Sequence, residues 1–230
     1  MKKFFKKAEA GAVEGGFSVL LDGRAIRTLA KTDFVVPTQA LADAVAAEWA
    51  GQGEELDPAT MPLTGMCYAA IDRVRLHRAH IEGETAGFAA TDLLCHRATT
   101  PVELVERQTA LWQPLLDWAS EVLSMRLNVI EGIQGDDQPP EALARAAELV
   151  RACDDFTLAG LDRLTHITGS LVLGFAVLHQ RLTGEEAYDI GHMEERYQAE
   201  MWGTDAEAEE RHQGRLIDIS AAQTLLDLLR

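Results

Sequence analysis

Phe17-Ser18-Val19-Leu20-Leu21-Asp22-Gly23-Arg24 sets the first part of the fold. Strand-forming residues run into Asp-Gly, the dipeptide that best supplies positive φ at a two-residue hairpin turn. Residues 25–28 read as the return strand. Phe34-Val35-Val36 reads as a third short strand, stopped by Pro37, and residues 4–8 as a further strand at an edge. The periodicity then changes. Thr38 is a good N-cap, and Leu41, Val45, Trp49 and Gln52 follow at four- and three-residue steps until Gly51 and Gly53 close the helix. This helix covers one face of a small antiparallel sheet, with Trp49 as its large anchor. Glu54 to Met61, flanked by Pro58 and Pro62, reads as an irregular connection and a domain boundary.

From Thr64 onward the pattern is helical almost throughout. Thr64 is the candidate cap of a helix to about His77, and a second helix spans roughly His80 to Cys95. Pro101 stands where a first-turn proline is welcome. Its helix runs through Trp112 to Trp118, with Pro114 an expected break or kink. Leu127 to Ile130 is a candidate strand, and Gly132 to Pro140 a loop. Pro139-Pro140-Glu141 opens a helix to about Cys153, Thr157 caps a long apolar helix through Leu178, and Gly184-Glu185-Glu186 starts one that reaches Trp202. A turn at Gly203-Thr204-Asp205 leads to a last helix. The expected class is α+β: a small antiparallel-sheet-plus-helix domain over 1–60, then a larger all-helical domain over 61–230.

The bulk numbers bound the function. The chain has 230 residues, 47% hydrophobic and 25% charged, which suits a folded globular protein. Its net charge of −16 argues against a nucleic-acid partner, because phosphate binding needs a basic face. The charge is uneven: residues 1–60 hold 7 Lys/Arg against 9 Asp/Glu, and 61–230 hold 14 against 28. Cys67, Cys95 and Cys153 are widely spaced and odd in number, which fits buried thiols in a reducing compartment. The basic start Met1-Lys2-Lys3-Phe4-Phe5-Lys6-Lys7 lacks the apolar stretch of a signal peptide, and no run is long enough to cross a bilayer. No membrane insertion is expected.

Three constellations could carry chemistry. Cys95 and His96 are adjacent, with Asp92 before them. Neighbours on a helix point about 100° apart, whereas a nucleophile and its base must touch. Cys95 therefore reads better as a small core residue, and Asp92 and Arg97 as polar contacts holding a helix end. His192 and Glu195 share a helix face, but a carboxylate-bridged metal site needs a second Glu-x-x-His and two more glutamates. No metal is expected. No phosphate-cradling glycine loop occurs, and Gly169-Ser170 lies within apolar helical sequence. Of the four tryptophans, Trp202 is the exception to a core reading. It sits beside Gly203 at a helix-to-turn junction among Glu194, Glu195, Glu200, Asp205, Glu207, Glu209 and Glu210, which suits a protein-binding face.

In order along the chain, the informative strings are Leu21-Asp22-Gly23-Arg24, Glu48-Trp49-Ala50-Gly51-Gln52, Met61-Pro62-Leu63-Thr64 and Thr91-Asp92-Leu93-Leu94-Cys95-His96-Arg97. They continue with Gln108, Trp112-Gln113-Pro114-Leu115, Gly169-Ser170, Tyr197-Gln198 and Trp202-Gly203. Together they resemble one family, the assembly chaperones of F-type ATP synthase that escort the α subunit of the catalytic sector. The resemblance runs from about Phe17 to about Glu207. It implies a two-domain monomer without ATP hydrolysis or cofactor. Such a protein binds the free α subunit and prevents its aggregation until the β subunit replaces the chaperone. By the same resemblance, Tyr197, Gln198, Trp202, Gly203, Asp205 and Glu207 form the partner-binding surface, and Trp49, Asp92, Arg97 and Gln108 belong to the structural framework. His96 stands where the family has an aromatic, often tyrosine, and Leu29 where a proline is common. The missing presequence implies a bacterial, cytoplasmic member. Two other readings stay open: an enzyme with a site around Asp92, Cys95 and His96, and an adaptor that remains in a stable complex.

Overall fold

Strand β2 (Gly16–Leu21) is the middle of a three-stranded antiparallel sheet in the computed structural model, which describes residues 1–132, 137–203 and 206–230, with only the backbone of Trp202 and 206–209. On one side it pairs with β1 (Ala8–Val13), in register from Ala8↔Leu21 to Val13↔Gly16. On the other it pairs with β3 (Arg24–Ala25). Asp22 and Gly23 connect β2 to β3 with φ of 48° and 81°, the paired positive values of a type I′ turn. The Asp22 carboxylate accepts from the Lys7 and Lys6 N–H groups at 2.9 and 3.1 Å, and these bonds hold it below the usual carboxylate range.

The outer strands differ from expectation. The edge strand placed at residues 4–8 begins only at Ala8 and runs to Val13. Ala8-Glu9-Ala10-Gly11-Ala12-Val13 has little strand propensity of its own, so β2 imposes the conformation by pairing. The return strand shrinks to Arg24–Ala25, and Phe34-Val35-Val36 supplies only a single bridge, Val36 to Phe17.

Helix α1 (Gln39–Ala50) packs on β1 and β2 through Leu41, Ala42, Val45, Ala46 and Trp49. Thr38 caps it by accepting from the Leu41 N–H at 3.2 Å, and Gly51 follows its last turn. The Trp49 ring lies 5.8 Å from Phe5. Glu48, on the same helix, reaches the next element. Its carboxylate accepts from the Leu63 N–H, the Thr64 N–H and the Thr64 hydroxyl at 2.7, 2.7 and 2.6 Å. These N–H groups open α2 (Pro62–Tyr68), so Thr64 lies inside the helix rather than capping it. A distant glutamate supplies the acceptor that a local cap would have given.

By its contacts the chain divides into two units. The first comprises Met1–Arg78, Asp154–Gly160 and Ala221–Arg230, and thus reaches past residue 60. Thr38 donates its hydroxyl to the Leu228 carbonyl at 2.6 Å. A Cβ on Gly160 would meet Leu226 at 2.8 Å, so a larger residue there would push the leucine side chain aside. The second unit, Ala79–Cys153 with Leu161–Ser220, is mainly helical. Its helices are α3 (Arg78–Gly87, with its first residue in the first unit), α4 (Val102–Val122), α5 (Pro140–Ala152), most of α6 (Asp155–Thr168), α7 (Leu171–Leu178), α8 (Gly184–Gly191), α9 (Met193–Trp202) and much of α10 (Ala206–Leu228). A parallel pair joins β4 (His96–Arg97) to β5 (Ile130–Glu131). Among the described residues no helix is long and apolar enough to cross a membrane.

Five helical expectations are corrected. The helix drawn from His80 to Cys95 ends at Gly87, and tight turns over 88–91 and 93–95 replace its second half. Pro114 does not interrupt α4. Asp154, rather than Thr157, caps α6 by accepting from the Phe156 and Thr157 N–H groups at 2.9 and 3.0 Å. The apolar helix to Leu178 breaks at Gly169-Ser170, and the one from Gly184 to Trp202 divides at His192. Of the loop Gly132 to Pro140, residues 133–136 lie outside the described residues.

Candidate functional site

Asp92 belongs to the second unit and is fully buried. One carboxylate oxygen accepts from the Leu94 N–H at 3.1 Å and the Ser170 hydroxyl at 2.7 Å; the other accepts from the Val172 N–H at 3.0 Å. Ser170 in turn accepts from the Leu173 N–H at 3.1 Å. A residue 78 positions upstream thus helps to cap α7. Gly169, at φ 70°, makes the reversal that frees Ser170 to act as a cap. Burial pushes the Asp92 carboxyl up, and the hydrogen bonds it receives oppose that shift.

Arg97, also buried, donates its Nε–H to the Leu94 carbonyl at 3.1 Å and lies 5.3 Å over the Trp112 ring. Trp112 donates its indole N–H to the Ile190 carbonyl at 3.1 Å. Gln108 accepts from the Ala98 N–H at 2.8 Å and donates to Glu194. Asp92, Arg97, Gln108 and Trp112 therefore join the 93–98 turn to α4, α7, α8 and α9. Sequence reading placed the first three in the framework but missed Ser170 and Glu194, the partners of Asp92 and Gln108, which lie 78 or more residues away.

This centre is poorly suited to nucleophilic chemistry. Burial, with Asp92 nearby, pushes the Cys95 thiol up to about 12, so it stays protonated at neutral pH. His96 is exposed while Cys95 is fully buried. Both Asp92 oxygens already accept hydrogen bonds.

His192 sits between α8 and α9. Among the described residues no cluster of three or more His, Cys, Asp or Glu could hold a metal. Its Nδ1 lies 3.0 Å from the Tyr188 carbonyl, and its ring stacks on Tyr188 at 4.0 Å. A carbonyl only accepts, so Nδ1 carries the proton and Nε2 accepts from Arg215 on α10 at 3.0 Å. His212 Nδ1 lies 3.1 Å from the Tyr188 hydroxyl. Burial holds His192 below the usual imidazole value. A depressed histidine contributes stability that is intact above its unfolded value of about 6.5 and is lost as pH falls from there through the lower folded value. The protein is expected to lose melting temperature steadily below that pH, with His192→Gln flattening the slope. An unchanged slope in the variant would assign the acid sensitivity to other groups.

The six residues expected at the partner surface fall at the end of α9 and beyond. Tyr197 is half-buried under the Arg107 guanidinium, 5.1 Å from its ring centre, and Arg107 pairs with Glu200 at 2.9 Å. Gln198 is exposed. Gly203, at φ 85°, donates its N–H to the Ala199 carbonyl at 2.8 Å and closes α9. Trp202 ends α9 and Glu207 lies in the first turn of α10; only their backbone is described. Asp205 lies outside the described residues. Arg107 was not singled out from sequence, although it directly precedes Gln108.

Residues 2–120 match the family model described as ATP12 chaperone protein. Along 221 residues the chain is 25% identical to the mitochondrial protein atp12 of Schizosaccharomyces pombe, covering 91% of this chain and 76% of that one. It is similar to crystallised Atp12 from Paracoccus denitrificans, at 36% identity and a TM-score of 0.96, covering 100% of this chain and 98% of the other. The Atu1473 protein of Agrobacterium tumefaciens gives 42% identity and 0.95, covering 100% and 86%. With a family model over more than half its length and structural likeness along all of it, the chain belongs to the ATP12 chaperone family of ATP synthase assembly factors.

Proposed function

We propose that this protein binds the free α subunit of the ATP synthase catalytic sector and is displaced when the β subunit arrives. The likeness to Paracoccus Atp12 along the whole chain carries this reading. The physical need is plain. An isolated α subunit exposes the apolar surface it would hide against β, and patches of that size drive aggregation. The contact face is the α9–α10 junction: Tyr197, Gln198, Trp202, Gly203, Asp205 and Glu207. Acidic residues around it steer a basic partner and fix register, while leaving the contact polar enough to release. No nucleotide or other cofactor takes part, because β competes by mass action. The protein acts as a monomer in the bacterial cytoplasm.

Co-expression with the α subunit of the same organism tests this. Soluble α that co-elutes with the protein and leaves it when β is added is the expected result; α that precipitates regardless overturns the reading. Within that assay Glu207→Lys should weaken capture about tenfold without lowering the melting temperature, because charge reversal at an interface acts on binding. Cys95→Ser should capture α as the parent does. An enzyme using that thiol would instead lose its activity, and a stable adaptor would persist in finished ATP synthase.

A further inference from the structure

We propose that the first unit carries a second docking groove, for a short extended segment of the α subunit that presents a large apolar side chain beside a carboxylate. This rests on the α-subunit reading above. The groove encloses about 500 Å³ along β3, within the size range of sites that enclose a bound group. Leu21, Ile26, Phe5 and Trp49 give it an apolar lining. Phe4, in the same lining, is 65% exposed, although the neighbouring Phe5 is buried. Among the described residues the buried indole N–H of Trp49 has no hydrogen-bond partner.

Backbone geometry favours an extended occupant. Ile26 donates to the Val19 carbonyl at 3.0 Å, so Ala25, paired with Leu20, is the non-hydrogen-bonded position of the ladder. Its N–H and C=O therefore face away from β2. A strand offers free backbone groups to that edge, whereas a helix has already used its own.

Charge selects the occupant further. Arg24 is exposed and has no ion-pair partner among the described residues. Arg27 reaches Asp33 at 3.2 Å but stays 66% exposed. The one acid in the lining, Asp22, already accepts from the Lys6 and Lys7 N–H groups. Lys2, Lys3 and Lys6 add positive charge nearby in sequence, on a protein of net charge −16, while Lys7 pairs with Glu9 at 2.6 Å. An apolar segment bearing an acid matches this rim. It differs from the basic partner surface that the acidic α9–α10 junction would favour.

The test places the photo-cross-linker p-benzoyl-phenylalanine at position 4 of the full chain, co-expressed with the α subunit, alongside Phe4→Ser and Arg24→Glu. Both side chains are exposed, so the variants should melt with the parent. The expected result is one cross-linked α peptide with an acid next to a large apolar residue, and capture weakened about tenfold by each variant. If α is captured at parental strength without a cross-link, the groove assignment fails while the α9–α10 reading stands. A cross-link to another copy of this chain also overturns it. If α is not captured by the parent protein at all, the functional reading falls and the groove assignment with it.

Discussion

Replacing Asp92 by alanine is expected to destabilise the protein by about 4 kcal/mol, one of the two largest effects of any single substitution considered. The carboxylate meets three donors: the Leu94 N–H, the Val172 N–H and the Ser170 hydroxyl. All three sit in a region closed to solvent, where an orphaned donor costs about 1–3 kcal/mol. Ser170 can still cap Leu173, so the full sum is not expected. In a chain of 230 residues, about 4 kcal/mol corresponds to a melting temperature lower by about 10 °C. Asp92→Asn separates shape from acceptor capacity. It keeps one acceptor but turns the other towards an N–H as a donor, so it should lose about half as much. A parental melting curve for Asp92→Ala would mean that water or rearrangement satisfies these groups and that α7 needs no help from Asp92.

Trp112→Ala should cost a similar amount, about 3–5 kcal/mol, by a different route. Among the described residues Trp112 is the largest fully buried side chain. Its removal leaves a cavity, takes the donor from the Ile190 carbonyl and strips the ring from beneath Arg97. Arg97 is poorly placed to absorb the loss, because its Nη2 already lacks a partner among the described residues. A buried cation separated from the groups around it is strongly unfavourable. Trp112→Phe keeps an aromatic face and loses the N–H, so about 1–2 kcal/mol is expected. Denaturant melts of both variants decide between the causes. Equal losses would assign the effect to the hydrogen bond, and a large gap to the cavity and the ring.

Local signals were legible in the sequence, and remote ones were not. Asp22-Gly23 announced its hairpin because the required positive φ values belong to those two residues. Thr38 announced α1 because its acceptor serves an N–H three residues on. β1 was misplaced because Ala8–Val13 is a strand only in the presence of β2. The break at Gly169-Ser170 was hidden because apolar periodicity runs straight through it. Gly169 makes the reversal and Ser170 the cap, but the Asp92 carboxylate that holds them lies outside residues 157–178. Thr64 misled for the same reason, since Glu48 holds α2 from another helix. The framework residues Asp92, Arg97 and Gln108 drew attention as a string, yet their work depends on Ser170, Trp112 and Glu194. At the partner surface, sequence could name residue types at a helix end, but not the Arg107 guanidinium lying over Tyr197.

The closure of the first unit by Ala221–Arg230 bears on how this protein is made. The sheet and α1 lie within the first 78 residues, but Thr38 bonds to Leu228, and Gly160 fits against Leu226. A ribosome adding about 5–20 residues per second needs on the order of ten seconds to pass from residue 78 to residue 228. Throughout that interval the nascent sheet domain lacks its last helix turns. The first unit of this assembly factor is thus incomplete until residue 228 has been made. Stalling translation before Ala221 should leave the amino-terminal portion more open to protease than in the finished chain.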